Sequence, residues 1–233
     1  MQLSTMLNVL SLLAEGLVNT LIVTFTCFTS ALIIGVIVAV LRRLDFAPLT
    51  ALMNALVYIF RSIPVLIAVF LVYFGLPSTG LTISPLLALN ISIGLISGSY
   101  LAEVFRGALQ LVERSEIAAA QTSGMSKFQI IKYIELPQMF RFAIPGILNE
   151  FSSVLKASPF AYTVGMPEMT KQAMNLTAVT MSGLEIYTLA GILYFIIYKL
   201  SASVTRMIEN KLHMTDEELK DIKVKTYGAG RTE

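Results

Sequence analysis

The chain contains no tryptophan, one cysteine and one histidine. Cys27 lies inside an apolar run, cannot close an internal disulfide, and has nothing beside it at metal-ligand spacing. His213 falls in a polar tail, so no histidine-based catalytic or metal site is expected. Charge is scarce as well: Asp, Glu, Lys and Arg make up 14% of the 233 residues, against about 25% in a soluble domain. Hydrophobic residues reach 55% and the mean hydropathy is +0.74. One globular core cannot hide that much apolar surface, so lipid must solvate most of the chain. A secreted enzyme, a nucleic-acid-binding domain and a disordered regulator are excluded. The first basic residue is Arg42, so the charged start of a cleavable signal peptide is missing. None of the 14 glycines is followed by lysine, so the chain holds no Gly-x-x-x-x-Gly-Lys cradle for nucleotide phosphates. No internal repeat is evident.

What is present is a series of long apolar runs. A helix crossing the hydrocarbon core needs about 20 mostly apolar residues. Five stretches qualify: about Gly16 to Leu41, Pro48 to Phe74, Pro85 to Ala108, a weaker and interrupted one from about Phe142 to Val164, and Leu184 to about Met207. Leu3 to Leu13 is too short to span and reads as an interfacial helix. The expected architecture is an all-α integral membrane protein over residues 1–211, with a cytoplasmic loop at about 109–141 and a polar cytoplasmic tail at 212–233. Thr215 followed by Glu218 fits a capping box, so part of that tail is read as a small helix.

Basic residues orient the spans. Arg42 and Arg43 follow the first span. Arg106, Arg114, Lys127, Lys132 and Arg141 border or occupy the loop after the third. Seven more, from Lys199 to Arg231, lie at or beyond the end of the fifth. Fourteen of the seventeen bases thus share one side, which is the cytoplasm. The N-terminus is then outside and the C-terminus inside, as an odd number of spans requires.

A charge inside a span costs a few kcal/mol on insertion scales (about 2.5–3.5 at the helix centre) and needs a reason. Arg61 sits near the middle of the second span, with Lys156 of the fourth at a similar depth and Glu150 deeper than the interface. Glu103 is near enough to the cytoplasmic end of the third span to snorkel. Pro64 follows Arg61 by three residues and Pro159 follows Lys156 by three. Each proline removes a helix hydrogen bond, and irregular backbone at membrane depth is tolerated only where protein or a water-filled cavity covers it. Broken helices near the midplane point to a transport pathway. The alternative is that Arg61 pairs with Glu150 as structural glue, and both can hold.

The cytoplasmic loop reads as two short helices. Ser115 is placed to cap the first, with Glu116 in its first turn, where the helix dipole favours an acid. Ala118, Ala119 and Ala120 are strong helix formers with small side chains, and Gly124 is placed to end the helix. Phe128, Ile131 and Ile134 repeat at three-residue spacing, and Leu136-Pro137 is expected to stop that second helix. The small-residue face fits a groove on a partner, or the pair packs on its own spans.

Here the chain resembles a family. Ala118-Ala119, Gly124 and Leu136-Pro137 resemble the EAA loop of importer permeases powered by ABC ATPases. Tyr58-Ile-Phe-Arg61-Ser-Ile-Pro64, Tyr73-Phe-Gly-Leu-Pro77, Ser97-Gly-Ser-Tyr-Leu-Ala-Glu-Val-Phe-Arg106-Gly107, Leu136-Pro-Gln138, Ile144-Pro145, Leu148-Asn-Glu-Phe151 and Val164-Gly-Met-Pro-Glu-Met-Thr170 continue the likeness in order. Together they resemble the polar amino-acid subfamily over roughly residues 16 to 211. The resemblance implies the type I ABC importer transmembrane fold in a bacterial cytoplasmic membrane. It also implies that the Ala118–Gly124 helix, with Glu116, Leu136 and Pro137, couples to an ATPase. Arg61, Pro64, Glu150, Lys156 and Ser158 would line the substrate path. The implied partners are ABC ATPase subunits, an extracytoplasmic substrate-binding protein and a second permease, identical or paralogous. No cofactor or metal belongs to this chain; ATP and Mg would sit on the ATPase.

Three departures from the family pattern stand out. Aligned on Gly124, the usual loop glutamate falls at Ala118, and Glu116 comes two residues early, about 200° around a helix. Arg61-Ser62-Ile63-Pro64 replaces a common Arg-Gly-Thr-Pro, and Lys156-Ala157-Ser158-Pro159-Phe160 replaces a common Lys-Asp-Thr-Ser-Leu. Two other functions compete. A self-contained ion-coupled secondary transporter or channel would need mid-membrane carboxylates, and Glu150 is the one candidate. An intramembrane enzyme would need a nucleophile with a base, for which Ser158 near Lys156 is the one arrangement on offer.

Overall fold

A computed structural model shows a wholly helical chain. It describes the backbone of residues 3–44 and 46–228, and side-chain surroundings for residues 9–207 apart from positions 45 and 205. The elements are α1 (Leu3–Arg42), α2 (Ala47–Ser62), α3 (Val65–Phe70), α4 (Pro85–Leu109), α5 (Arg114–Thr122), α6 (Lys127–Ile130), α7 (Leu136–Ala157), α8 (Met169–Thr180) and α9 (Gly183–Gly228). A π turn at Leu71–Gly75 and a 3-10 turn at Leu76–Thr79 follow α3, a second π turn at Ile131–Glu135 joins α6 to α7, and a 3-10 segment at Ser158–Val164 continues α7. No strand occurs among the described residues.

The expected interfacial helix is not a separate element. Leu3 to Leu13 runs unbroken into α1, a helix of 40 residues. Val9 and Leu13 are buried against Met169 and Ala173 of α8 and Ile186 and Ala190 of α9, so these two positions are held by protein rather than laid on a lipid surface. Further along α1, Val23 and Cys27 join a second core with Val69, Leu89 and Val154. Ala31 and Ala39 join a third with Leu101, Phe105 and Met139. The helix is thus a spine along which three apolar cores are stacked. Its hydroxyls are satisfied internally, as lipid demands: Thr20, Thr24, Thr26 and Thr29 each donate to the carbonyl four residues back.

Pairing of α1 with α4 builds the centre of the body. Between apolar helices in lipid, close contact of small residues replaces the hydrophobic driving force. The buried stripe Ser92, Gly94, Ser97, Gly98 and Ser99 of α4 supplies it. A Cβ added at Gly98 would lie 2.8 Å from Ile34 Cβ of α1, so only glycine permits this approach. Asn90 and Ser30 close the polar gap across the pair, Ser30 Oγ donating to Asn90 Oδ1 at 2.9 Å.

By length and composition, three helices can cross a membrane: Val9–Arg42, Pro85–Leu109 and Gly183–Val204. The pair Ala47–Ser62 and Val65–Thr79 qualifies together but is bent by 104°. The stretch expected as the fourth span is not apolar enough to qualify, and it does not begin at Phe142. It is α7, preceded without a break by α6 and the π turn, so Leu136-Pro137 does not stop the helix as expected. Pro137 stands in the first two positions of α7, where a missing N–H costs little. The π turn ahead of it takes up the register, with the Leu136 N–H bonding the Ile131 carbonyl. At the far end, the helix of α9 continues through residue 215, so Thr215 does not begin a new one; its side chain lies outside the described residues.

Basic and acidic residues tie the ends of the spans together. Arg42 Nη1 meets Glu103 Oε1 at 2.8 Å, and Arg106 Nε meets Glu103 Oε2 at 2.8 Å. Glu103 therefore joins α1 to α4 as an ion-pair hub.

Candidate functional site

The break in the second span follows from Pro64. Its ring disfavours helical backbone at the residue before it, and Ile63 is extended at φ −88, ψ 128. Pro64 itself is extended and caps α3, whose first bond runs from the Ala68 N–H to the Pro64 carbonyl at 3.1 Å. Arg61, in the last turn of α2, is exposed. Its guanidinium carbon lies 4.8 Å from the centroid of the Tyr100 ring of α4.

Glu150 is buried on α7 with Ser97 of α4 as its side-chain hydrogen-bond partner. Ser97 and Tyr100 are three residues apart on one helix and share a face. Arg61 and Glu150 therefore approach the same face of α4 about one turn apart. They form no ion pair with each other, so the glue reading is not what the chain adopts: Arg61 is held by an aromatic ring and Glu150 by a hydroxyl. Lys156 is exposed near the end of α7, its Nζ 4.5 Å from the centroid of the Tyr198 ring of α9.

Ser158 departs from the sequence expectation. It is fully buried, and its hydroxyl donates to the Leu155 carbonyl at 2.8 Å. It faces the protein interior rather than an open path, and it is not presented to Lys156 as a nucleophile to a base. The Ser-Lys arrangement needed by an intramembrane enzyme is absent. Sequence reasoning missed Tyr100 and Tyr198 as the rings that hold Arg61 and Lys156. The signal available was an amphipathic aromatic within an otherwise apolar span.

The loop at 109–141, expected in the cytoplasm, forms two helices meeting at a glycine, as expected, with one correction. Glu113 rather than Ser115 occupies the residue before α5 and gives no side-chain cap; the Ser115 hydroxyl instead donates to Glu113 Oε2 at 3.3 Å. Gly124 is left-handed at φ +80. The Met125 N–H bonds the Ala120 carbonyl at 3.1 Å and the Gly124 N–H bonds the Gln121 carbonyl at 3.0 Å, the paired bonds of a Schellman end. Ser126 and Gln129 then form a capping box that starts α6.

This geometry leaves one face of α5 free. Ala118 and Ala119 are exposed, while Ala120 is buried. Glu116 is turned toward α7, accepting from Gln138 Nε2 at 2.6 Å. Its carboxylate therefore anchors α5 to the following helix, on a different side from Ala118, as the two-residue offset dictates. A cleft of about 540 Å³ lies between the loop helices and the start of α7, lined by Ala119, Tyr133 and Pro137 among others. Leu136 is half-buried and Pro137 exposed beside it.

Away from the loop, Glu168 is fully buried at the start of α8. Its carboxylate accepts from the N–H of Thr170 and of Lys171, both at 2.8 Å, and from the Tyr194 hydroxyl at 2.8 Å. Burial raises its pKa above the ordinary carboxylate range, and these donors pull it only part of the way back. Among the described residues no cluster of His, Cys, Asp and Glu could hold a metal ion.

Comparison with known proteins gives this geometry a family. Residues 31–214 match the model of the binding-protein-dependent transport system inner membrane component. The chain is 33% identical over 195 residues to the "Probable amino-acid permease protein YxeN" of Bacillus subtilis (strain 168), covering 82% of this chain and 87% of that one. It is 30% identical over 209 residues to the glutamate/aspartate import permease protein GltK of Escherichia coli O6:H1, covering 86% and 93%. Among solved structures, an amino acid ABC transporter crystallised with histidines superposes with a TM-score of 0.81 at 26% identity, covering 91% of this chain and 99% of that one. The inward-facing MetNI methionine ABC transporter shares the fold, with a TM-score of 0.75 at 22% identity. A wholly helical membrane body with a free small-residue helix on its loop, matched over four fifths of its length, belongs to the family of binding-protein-dependent transport system inner membrane components, the permease subunits of ABC importers.

Proposed function

We propose that the chain forms half of the translocation path for an amino acid handed over by an extracytoplasmic binding protein. ATP hydrolysis on a separate ATPase, with its own Mg, drives the transfer. The carrying observation is the α5 face: Ala118 and Ala119 are exposed and side-chain-poor, while Gly124 and the Ser126 box fix the helix end rigidly. Such a face accepts a close-fitting groove and suits a docking helix better than a structural one.

The path itself is read from the broken second span and the cations beside it. Arg61 and Lys156 are exposed in the single chain, each held only by a ring face, with Pro64 opening the backbone between α2 and α3. Glu150 is buried on α7 against Ser97, one turn along α4 from the Tyr100 that holds Arg61. A carboxylate-bearing substrate matches two cations. The names of related permeases, which include glutamate/aspartate and glutamine carriers, support an amino acid.

Five spans are the reading that best fits the charge pattern, with α7 crossing despite Arg141, Glu150 and Lys156; of the three, Glu150 is buried within the chain and Lys156 lies against the Tyr198 ring. The N-terminus then lies outside and the C-terminus in the cytoplasm, in a bacterial cytoplasmic membrane. A second permease subunit follows from exposure: only 11% of the α9 span is buried within the chain, against 61% of α4. Five helices are also few to enclose a path. ATP binding would close the ATPases, move the α5 helices with them and open the path outward; hydrolysis would reset it.

The test is co-purification and uptake. The solubilised chain, expressed with the ATPase and binding protein encoded beside it, should retain the ATPase and, in vesicles, take up amino acid only with ATP inside. A chain that never binds that ATPase would refute the reading. So would uptake driven by an ion gradient without ATP.

A further inference from the structure

The last turn of α1 carries adjacent arginines with different partners. Arg42 reaches Glu103 of α4, within the block that α1 and α4 already form. Arg43 reaches Glu135, the last residue of the π turn between α6 and α7. Both prongs are used: Arg43 Nε donates to Glu135 Oε2 at 3.0 Å, and Nη2 contacts Oε1. Glu135 is 2% exposed. This ion pair joins the membrane body to the cytoplasmic loop, whereas Arg42–Glu103 and Arg106–Glu103 stay within α1 and α4.

We propose that the Arg43–Glu135 pair is a positioning clamp that carries motion of the loop helices onto α1 during ATP-driven transport. The inference rests on the proposed docking role of α5. A two-pronged guanidinium–carboxylate contact fixes angle as well as distance. Breaking it would strand a buried carboxylate, which is strongly unfavourable. The loop therefore cannot swing away from α1 while the π turn holds its shape; it must take α1 along or unwind that turn. A π turn carries one residue more than the surrounding helix needs, a device common at functional sites. Here it lies between the docking helix and the whole length of α7. The Glu116–Gln138 bond ties α5 to α7 on the far side of the same turn, so the loop is gripped from two directions and moves as one piece.

The experiment uses the reconstituted complex of permease, ATPase and binding protein, and reads amino-acid uptake per ATP hydrolysed. In Arg43→Gln and Glu135→Gln the ATPase should still co-purify, but uptake per ATP should fall about tenfold. The exchange Arg43→Glu with Glu135→Arg should recover at least half of the wild-type ratio. A wild-type ratio in either single variant overturns the clamp, and so does an exchange variant that assembles yet recovers nothing. Should the single variants yield too little folded chain, Arg43→Lys keeps the charge and loses the two-pronged geometry; its ratio should fall about threefold, and an unchanged ratio overturns the clamp. Failure of the wild-type chain to couple ATP to uptake at all would instead refute the parent reading, which separates the two.

Discussion

The guanidinium of Arg61 lies over the ring of Tyr100, 4.8 Å from its centroid, and the Tyr100 hydroxyl reaches back to the Arg61 carbonyl at 3.4 Å. One aromatic side chain of α4 thus holds both the charge and the backbone end of the broken span. The position of the cation is set by α4 rather than by an acid.

Replacing Arg61 by alanine should therefore lower transport per assembled complex at least tenfold, with smaller loss of inserted protein. Tyr100→Leu removes an attraction worth about 0.5–2 kcal/mol while leaving the charge, so its effect should be milder. Uptake normalised to complex, measured in vesicles, checks both. An Arg61→Ala chain with normal uptake per complex and low assembly would show that Arg61 is structural.

Gly124 should tolerate asparagine and reject valine. Nothing lies within 4 Å of a Cβ built there, so the obstacle is the backbone, held at φ +80, and not crowding. A left-handed residue costs about 1–2 kcal/mol for an ordinary side chain, more when β-branched. Valine should strain the junction of α5 and α6 and uncouple hydrolysis from uptake at normal expression. Wild-type uptake in Gly124→Val would remove the junction from the coupling mechanism.

Two glycines of α4 should separate packing from propensity. Gly98→Leu drives side chain into Ile34 and should lower stability by about 1–3 kcal/mol or more, read as a lower Tm of the solubilised chain. Gly107 has nothing within 4 Å of a built Cβ, so Gly107→Ala should leave Tm unchanged or slightly raised. Equal losses at the two sites would show that close approach to α1 is not what Gly98 provides.

The cap at Glu168 should give the fold a measurable pH dependence. Burial holds its carboxyl above the ordinary range in the folded chain, so the folded state binds the proton more tightly than the unfolded one. Stability from this group is complete below the ordinary carboxylate pKa and is lost as pH rises through the raised folded value. Relative to Glu168→Gln, which does not titrate, the wild type should lose stability across that window on going upward. A wild-type advantage that grows with pH would contradict the sign, and would mean that the two N–H donors and Tyr194 outweigh burial.

Much of the proposed path region stood out as residue types. Arg61, Pro64, Glu150 and Lys156 stood out because charge and proline are costly in lipid, and each occupies a distinctive place. Partner choice was not legible. Arg61 and Glu150 have opposite charges at similar depth, and only the placement of Ser97 and Tyr100 along α4 shows why they do not meet. Ser158 had the chemistry of a path residue, yet its backbone turns it inward to the Leu155 carbonyl. Arg43 and Glu135 are 92 positions apart, and no local pattern connects them.

The helix boundaries show the same division. Gly124 marked its turn correctly because a left-handed residue is a local requirement that glycine meets most readily. Pro137 misled, since a π turn one residue upstream lets a helix pass through it. Leu3–Leu13 looked too short to span, which is true of its length but irrelevant once α8 and α9 bury Val9 and Leu13.

By itself, the sequence determined the solvent and the class of structure. A chain with 14% charge and 55% apolar residues has to satisfy its backbone within helices, because lipid offers no hydrogen bonds, and its clustered bases mark one end of those helices. The tertiary structure decided which face each helix shows to another. It set α4 against α1 through glycine and serine, placed two cations on aromatic rings, and paired Arg43 with a buried acid on the loop between α4 and α7. Those outcomes depend on distances between residues far apart in the chain, and no periodicity or composition encodes them.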